Sequence, residues 1–260
     1  MSVSALLHHL EAGTDRDETI VFLHGGGMSS RQWAPQFEAL GEFHLLAPDL
    51  PEQGRSAEVK PFTLEGSAEQ VAALIEAKAQ GGRAHVVGLS LGGAVGLALM
   101  QRYPEKIASL FVTGSAAGLG KFLGGLSLLS AGLYEVLPRR WLIDASVKQF
   151  GIPKEYADHF REDLALSANA RFTRHFTRAL MGMRLPPEAS ARTLIAVGER
   201  ETLPAKSAAK RMAREIRGAR GVLVPRAGHV WNLEAPALFS ETVRRWVTDE
   251  ALPPELLPLS

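Results

Sequence analysis

Short, uninterrupted apolar runs alternate with longer stretches of helical periodicity over most of the chain. Thr19–Leu23, Phe43–Ala47, Ala84–Gly88, Ile107–Thr113, Arg192–Val197 and Gly221–Pro225 each read as a strand buried on both faces. Ser4–Leu10 alternates loosely and is a candidate first strand. Ser30–Leu40 places Trp33, Phe37 and Leu40 at helical spacing, and Thr63–Gln80 does the same with Leu64, Val71, Leu74 and Ile75. Leu91–Met100, Ala205–Arg217 and Ala235–Thr248 complete the helices between and after the strands. This alternation predicts an α/β fold, a mostly parallel sheet flanked by helices on both faces.

The alternation stops once. Between about 117 and 187 the strand signal vanishes, and Leu119–Val136, Arg139–Phe150, Lys154–Ala168 and Arg171–Met181 all read as helices, separated by Pro138, Gly151-Ile152-Pro153 and polar joints. A helical block inserted between two strand–helix units predicts a lid over the carboxyl edge of the sheet. Residues 1–116 and 188–260 are then the core, and residues 117–187 the lid. Pro253-Pro254 opens a tail expected to pack loosely.

The densest chemical signal is Gly88-Leu89-Ser90-Leu91-Gly92, between a strand and an apolar helix. A turn that tight holds its central residue in a strained backbone state, and the residues two positions to either side must lack a side chain to avoid the adjacent elements. It lifts the Ser90 hydroxyl out of the sheet and aims the amide end of the following helix at any anion formed there. Ligands of open parallel sheets bind at the carboxyl ends of the strands. The other strand ends supply Gly25-Gly26-Gly27, a carboxylate at Glu199 or Glu201, and His229. A nucleophile, an acid and a base in the chain order Ser, acid, His are thus predicted at one edge.

These motifs resemble those of the α/β-hydrolases, and the likeness spans nearly the whole chain outside the helical block. His24-Gly25-Gly26-Gly27 followed by Trp33 resembles the oxyanion loop, and Gly88–Gly93 resembles the nucleophile turn. Ala227-Gly228-His229 with Glu234 and Pro236 resembles the histidine segment. Asp49-Leu50-Pro51 through Gly54-Arg55-Ser56 resembles a loop usually written D-x-P-G-H-G-x-S, with Glu52 and Gln53 standing in place of Gly and His. The resemblance implies a lidded serine hydrolase, esterase-like, with Ser90 as nucleophile, His229 as base and Glu201, three residues after Gly198, as the acid; Glu199 is the alternative. It also implies an oxyanion hole made by the backbone N–H groups of Leu91 and Gly26. His24 and Asp49 read as loop-fixing residues.

Met28, Leu89, Phe122, Leu126, Tyr134 and Trp141 are the candidate pocket residues, which makes the expected substrate a small, apolar, ester-type molecule. The same triad serves thioesterases and lactonases, and on the same fold C–C hydrolases of ring-fission products. Members of that last group often carry Asn before the nucleophile, where this chain has Leu89. A non-catalytic ligand-binding protein on this fold is the alternative of a different class.

Composition narrows the field further. A formal net charge of +1 over 260 residues gives no electrostatic case for a nucleic-acid partner. The absence of cysteine removes disulfides, thiolate metal sites and a cysteine nucleophile. No histidine or carboxylate spacing suggests a metal, no P-loop or dinucleotide fingerprint is present, and no cofactor is expected. The N-terminus lacks the pattern of a signal peptide and no apolar stretch is long enough to span a bilayer, so the expected location is cytoplasmic and a membrane partner is not expected. The pattern does not specify an oligomeric state.

Overall fold

The computed structural model describes residues 6–259, apart from the side chains of Phe122 and Leu123. Eight strands form one sheet: β1 His9–Ala12, β2 Thr19–Leu23, β3 His44–Pro48, β4 Ala84–Leu89, β5 Ile107–Thr113, β6 Glu188–Gly198, β7 Arg217–Val224 and β8 Leu257–Pro258. Their order is β1-β3-β2-β4-β5-β6-β7-β8. The six central strands run parallel, and the edge strands β1 and β8 are antiparallel to their neighbours.

Eleven α-helices are described: α1 Ala34–Ala39, α2 Leu64–Lys78, α3 Leu91–Arg102, α4 Lys121–Ser130, α5 Leu133–Val136, α6 Arg139–Gln149, α7 Ala157–Ser167, α8 Ala170–Gly182, α9 Leu203–Glu215, α10 Trp231–Glu234 and α11 Pro236–Val247. Side chains of a strand alternate between the two faces of a sheet, which explains the two cores. Val21 and Leu23 of β2 join the cluster made with α2, α3 and α9, whereas Ile20 and Phe22 join the cluster made with α11 and Trp33. Both faces are covered, which is why the strands are continuous apolar runs. A third cluster joins Ile143, Val147, Phe160 and Leu164 of the helical segment to Met28, Val230 and Leu233 of the strand-end loops. Among the described residues no helix is long and apolar enough to cross a membrane.

Three expectations need correction. The described first strand is His9–Ala12, so Ser4 lies outside the described residues and Leu7 precedes the strand. The helix expected over Leu119–Val136 is two, α4 and α5, broken at Ala131-Gly132. The tail is packed rather than loose. Leu252 is buried, β8 pairs with β7, and the Leu259 amide donates to the Gly221 carbonyl. Gly221 makes that approach possible, because a Cβ there would stand 3.1 Å from Cβ of Leu259.

Candidate active site

The strand-to-helix turn after β4 has the geometry its glycines require. Ser90 sits at φ 55°, ψ −111°, a conformation that costs a non-glycine residue on the order of 1–3 kcal/mol. A Cβ on Gly92 would collide with the Leu23 carbonyl, and one on Gly88 with the Gly92 carbonyl. The crowding atoms are backbone of a central strand and of the helix start, which cannot withdraw. Gly92→Ala is therefore expected to cost roughly 3 kcal/mol or more, read as a lowered urea midpoint at unchanged slope. The Ser90 amide donates to the Thr113 carbonyl at 2.8 Å, which locks the turn to β5.

His229 follows β7 and Glu201 follows β6. Nδ1 of His229 donates to Oε2 of Glu201 at 2.9 Å, and Glu201 is nearly buried. That bond fixes the tautomer that leaves Nε2 free to accept a proton. Glu199 is committed elsewhere, its carboxylate accepting from the Arg226 amide at 2.7 Å. The structure thus brings Glu201, and not Glu199, to the imidazole. Ser90 and His229 line one cavity of about 200 Å³. No hydrogen bond joins their side chains among the described residues, and such contacts commonly tighten only around substrate.

The glycine loop after β2 is held by two glutamine side chains. Oε1 of Gln32 accepts from the Gly25 amide at 2.9 Å, and Oε1 of Gln53 accepts from the Gly27 amide at 2.7 Å. The amide between them, on Gly26, has no acceptor among the described residues, and neither has the Leu91 amide at the start of α3. Two amides beside Ser90 are thereby left available to an anion. Only the pairing across the loops reveals this role; Gln32 has no local signal, and Gln53 reads in the sequence as a departure from the resembling loop.

Below this loop, His24 is fully buried. Its Nδ1 donates to the Gly25 carbonyl at 2.8 Å and its Nε2 accepts from the Leu50 amide at 2.9 Å, so the ring is neutral in this arrangement. Burial pushes its pKa below the ordinary histidine value, against smaller opposing contributions from the Gly25 carbonyl and Asp49. Burial acts in the same direction on His85. Burial would raise the pKa of Asp49, but the amides of Ser30 and Arg55, at 2.7 and 2.8 Å, outweigh it and hold the carboxyl below its usual range. Both histidines bind a proton more readily when unfolded. Their contribution to stability is therefore full above about pH 6.5 and declines as pH falls below it. The unfolding free energy is expected to drop between pH 7.5 and 5, and His24→Gln is expected to flatten that slope. A slope unchanged by the substitution would remove His24 as a source.

The cavity wall explains which pocket residues face the site. Met28, Leu89 and Tyr134 line it. Leu126 and Trp141 do not, and both are more than half exposed. Ser127 lines the cavity from α4, so Leu126, one residue earlier, points about 100° away; Trp141 stands five residues before Ser146, about 140° round α6. Phe122 has no described side chain. The sequence reading missed Phe150, whose ring stacks on the His229 imidazole at 5.4 Å, and Phe172 and Phe176 of α8. Apart from His229 and the Tyr134 phenol, no titratable side chain lines this cavity among the described residues.

The sequence profile described as the alpha/beta hydrolase family matches residues 20–242. The chain belongs to this family. The hydrolase-family chain is 30% identical over 245 residues to an AB hydrolase superfamily protein of Gibberella zeae, covering 91% of this chain and 82% of that one. In fold it is similar to the enol-lactonase of Burkholderia xenovorans, with TM-score 0.79 and 24% identity over 93% of this chain and 96% of the other. It is also similar in fold to a thermophilic esterase of Thermogutta terrifontis, with TM-score 0.78 and 22% identity over 93% of each chain.

Proposed function

We propose that this alpha/beta hydrolase-family protein is a serine hydrolase that cleaves carboxylic esters of small to medium apolar acyl groups. The observation that carries this reading is the bond between Glu201 and the inner nitrogen of His229, with the imidazole and Ser90 facing one apolar cavity. In this reading His229 Nε2 takes the proton of Ser90 Oγ as the oxygen attacks the ester carbon. The oxyanion that forms accepts from the Gly26 and Leu91 amides. The carbonyl re-forms, the bond to the leaving oxygen breaks, and His229 returns the proton to that oxygen. Water, deprotonated by the same imidazole, then attacks the acyl-enzyme and frees the acid and Ser90. Glu201 stays ionised throughout and stabilises the imidazolium.

Residues 1–116 and 188–260 act as the core and residues 117–187 as a lid. Two features support this. The helical segment supplies Tyr134, Phe150, Leu164 and Phe172 to the cavity, while the strand-end loops supply Met28 and Ser90. The substrate is uncharged around its reacting bond, because a charged group would be stranded in a wall with no counter-ion.

The test is a set of esters, thioesters and lactones of graded length, run beside labelling with a fluorophosphonate. Turnover of uncharged esters and a label on Ser90 are expected. A protein that takes no label and cleaves none of the set is not a serine hydrolase.

A further inference from the structure

A second cavity opens on the other side of Ser90. It measures about 310 Å³ and is walled by Ala116, Leu119, Leu180, Pro204 and Ala208, with Leu91 at its base. Small-molecule sites typically run from about 300 to 1,000 Å³, so this one is large enough to hold part of a substrate. Among the described residues the two cavities share two, Ser90 and Phe176. Phe176 is therefore the wall between them, and Ser90 is the point where both can be reached. No charged side chain lines the second cavity among the described residues.

The partition is held from the core. Phe176 stacks on Phe172 at 6.0 Å, and Phe172 meets Phe62 edge-on at 5.8 Å. One turn of α8 places Arg171 and His175 against the buried carboxylate of Glu52, at 2.9 and 2.7 Å. The side chain dividing the cavities is thus carried on a helix tied down beside it.

We infer that the second cavity binds the acyl chain of the substrate, and that the first takes the leaving alcohol. The inference rests on the serine-hydrolase reading and gives each side of the scissile bond its place. The leaving oxygen must meet His229 to receive a proton, and the imidazole lines the first cavity and not the second. Once the alcohol departs, the water that attacks the acyl-enzyme needs the same position beside His229. An acyl chain in the first cavity would block that water, whereas one in the second leaves the imidazole accessible. A further cleft of about 480 Å³ reaches His229 from beside Arg200 and Thr202, and gives water a route. Both ends of the substrate are accordingly apolar and uncharged.

Ala208→Phe and Ala116→Leu fill the second cavity from two elements, at positions that are only partly buried. Each variant and the unaltered protein are assayed on ethyl acetate, ethyl octanoate and octyl acetate. The ratio of kcat/KM for ethyl octanoate over ethyl acetate is expected to fall by about tenfold or more, while the ratio for octyl acetate over ethyl acetate holds. Phe176→Ala, which joins the cavities, is expected to weaken discrimination on both sides. A fall in the octyl acetate ratio instead, or no change in either ratio, overturns the assignment. Labelling of Ser90 by a small fluorophosphonate reports that a variant is folded and reactive. An unaltered protein that takes no label and cleaves none of the three esters fails at the hydrolase reading itself, and the assignment falls with it.

Discussion

Ser90→Ala is expected to lower turnover of an activated ester by at least about 10⁴-fold and to abolish fluorophosphonate labelling, with stability little changed. The size follows from what remains. In the proposed serine-hydrolase reading, the Gly26 and Leu91 amides and the cavity would still bind the ester, but without Oγ the imidazole could only assist water. The backbone at position 90 stays at positive φ in the variant, because the Thr113 carbonyl and the glycines at 88 and 92 fix it. Alanine meets the same backbone strain as serine, so a large loss of stability is not expected. Turnover within tenfold of the unaltered protein would show that Ser90 is not the nucleophile. The decisive readout is kcat/KM together with the mass of the labelled protein.

Removing Arg171 and His175, which hold Glu52, is expected to destabilise the protein more than removing the Glu52 carboxylate itself. The Glu52 side chain is 1% exposed, whereas Arg171 and His175 are 54% and 26% exposed. In Arg171→Ala/His175→Ala the carboxylate keeps, among the described residues, the Phe62 amide at 3.3 Å as its remaining partner. Stranding a buried charge costs about 3–5 kcal/mol, and a chain of this size then loses roughly 6–12 °C in Tm. In Glu52→Gln the Arg171 and His175 side chains can both turn to water, and the expected loss is about 1 kcal/mol. Equal losses, measured by urea denaturation of both variants, would mean that the carboxylate is not the buried partner that matters. Because α8 carries Phe172 and Phe176, the double variant is also expected to expose that helix to proteolysis ahead of the core.

Glu52 shows why part of the site was hidden in the sequence. It occupies a position with φ 62°, where the resembling loop usually has glycine. From the sequence that substitution reads as a departure from a pattern. In the structure it is a tether between the core and a helix more than 100 residues away. Gln53 is a similar case, since its value lies in the Gly27 amide that it meets. By contrast, Asp49 and His24 were legible as loop-fixing residues, because their partners are the backbone of neighbouring loops that the same motifs define. Phe150 carried no signal beyond its place near the end of a helical run, yet its ring covers the imidazole.

The sequence by itself determined the order of strands and helices and the glycine pattern around Ser90, because both depend on local sterics and on which runs can be buried on two faces. It also placed Ser90, His229 and a carboxylate at strand ends. The tertiary structure alone shows which carboxylate meets the imidazole: Glu201 lies against His229, while Glu199 accepts from the Arg226 amide, and each contact comes from another loop. It alone folded the tail onto the sheet edge and turned Leu126 and Trp141 outward. Which face of a helix meets a cavity depends on how that helix is rolled against its neighbours, and contacts between residues distant along the chain set that roll.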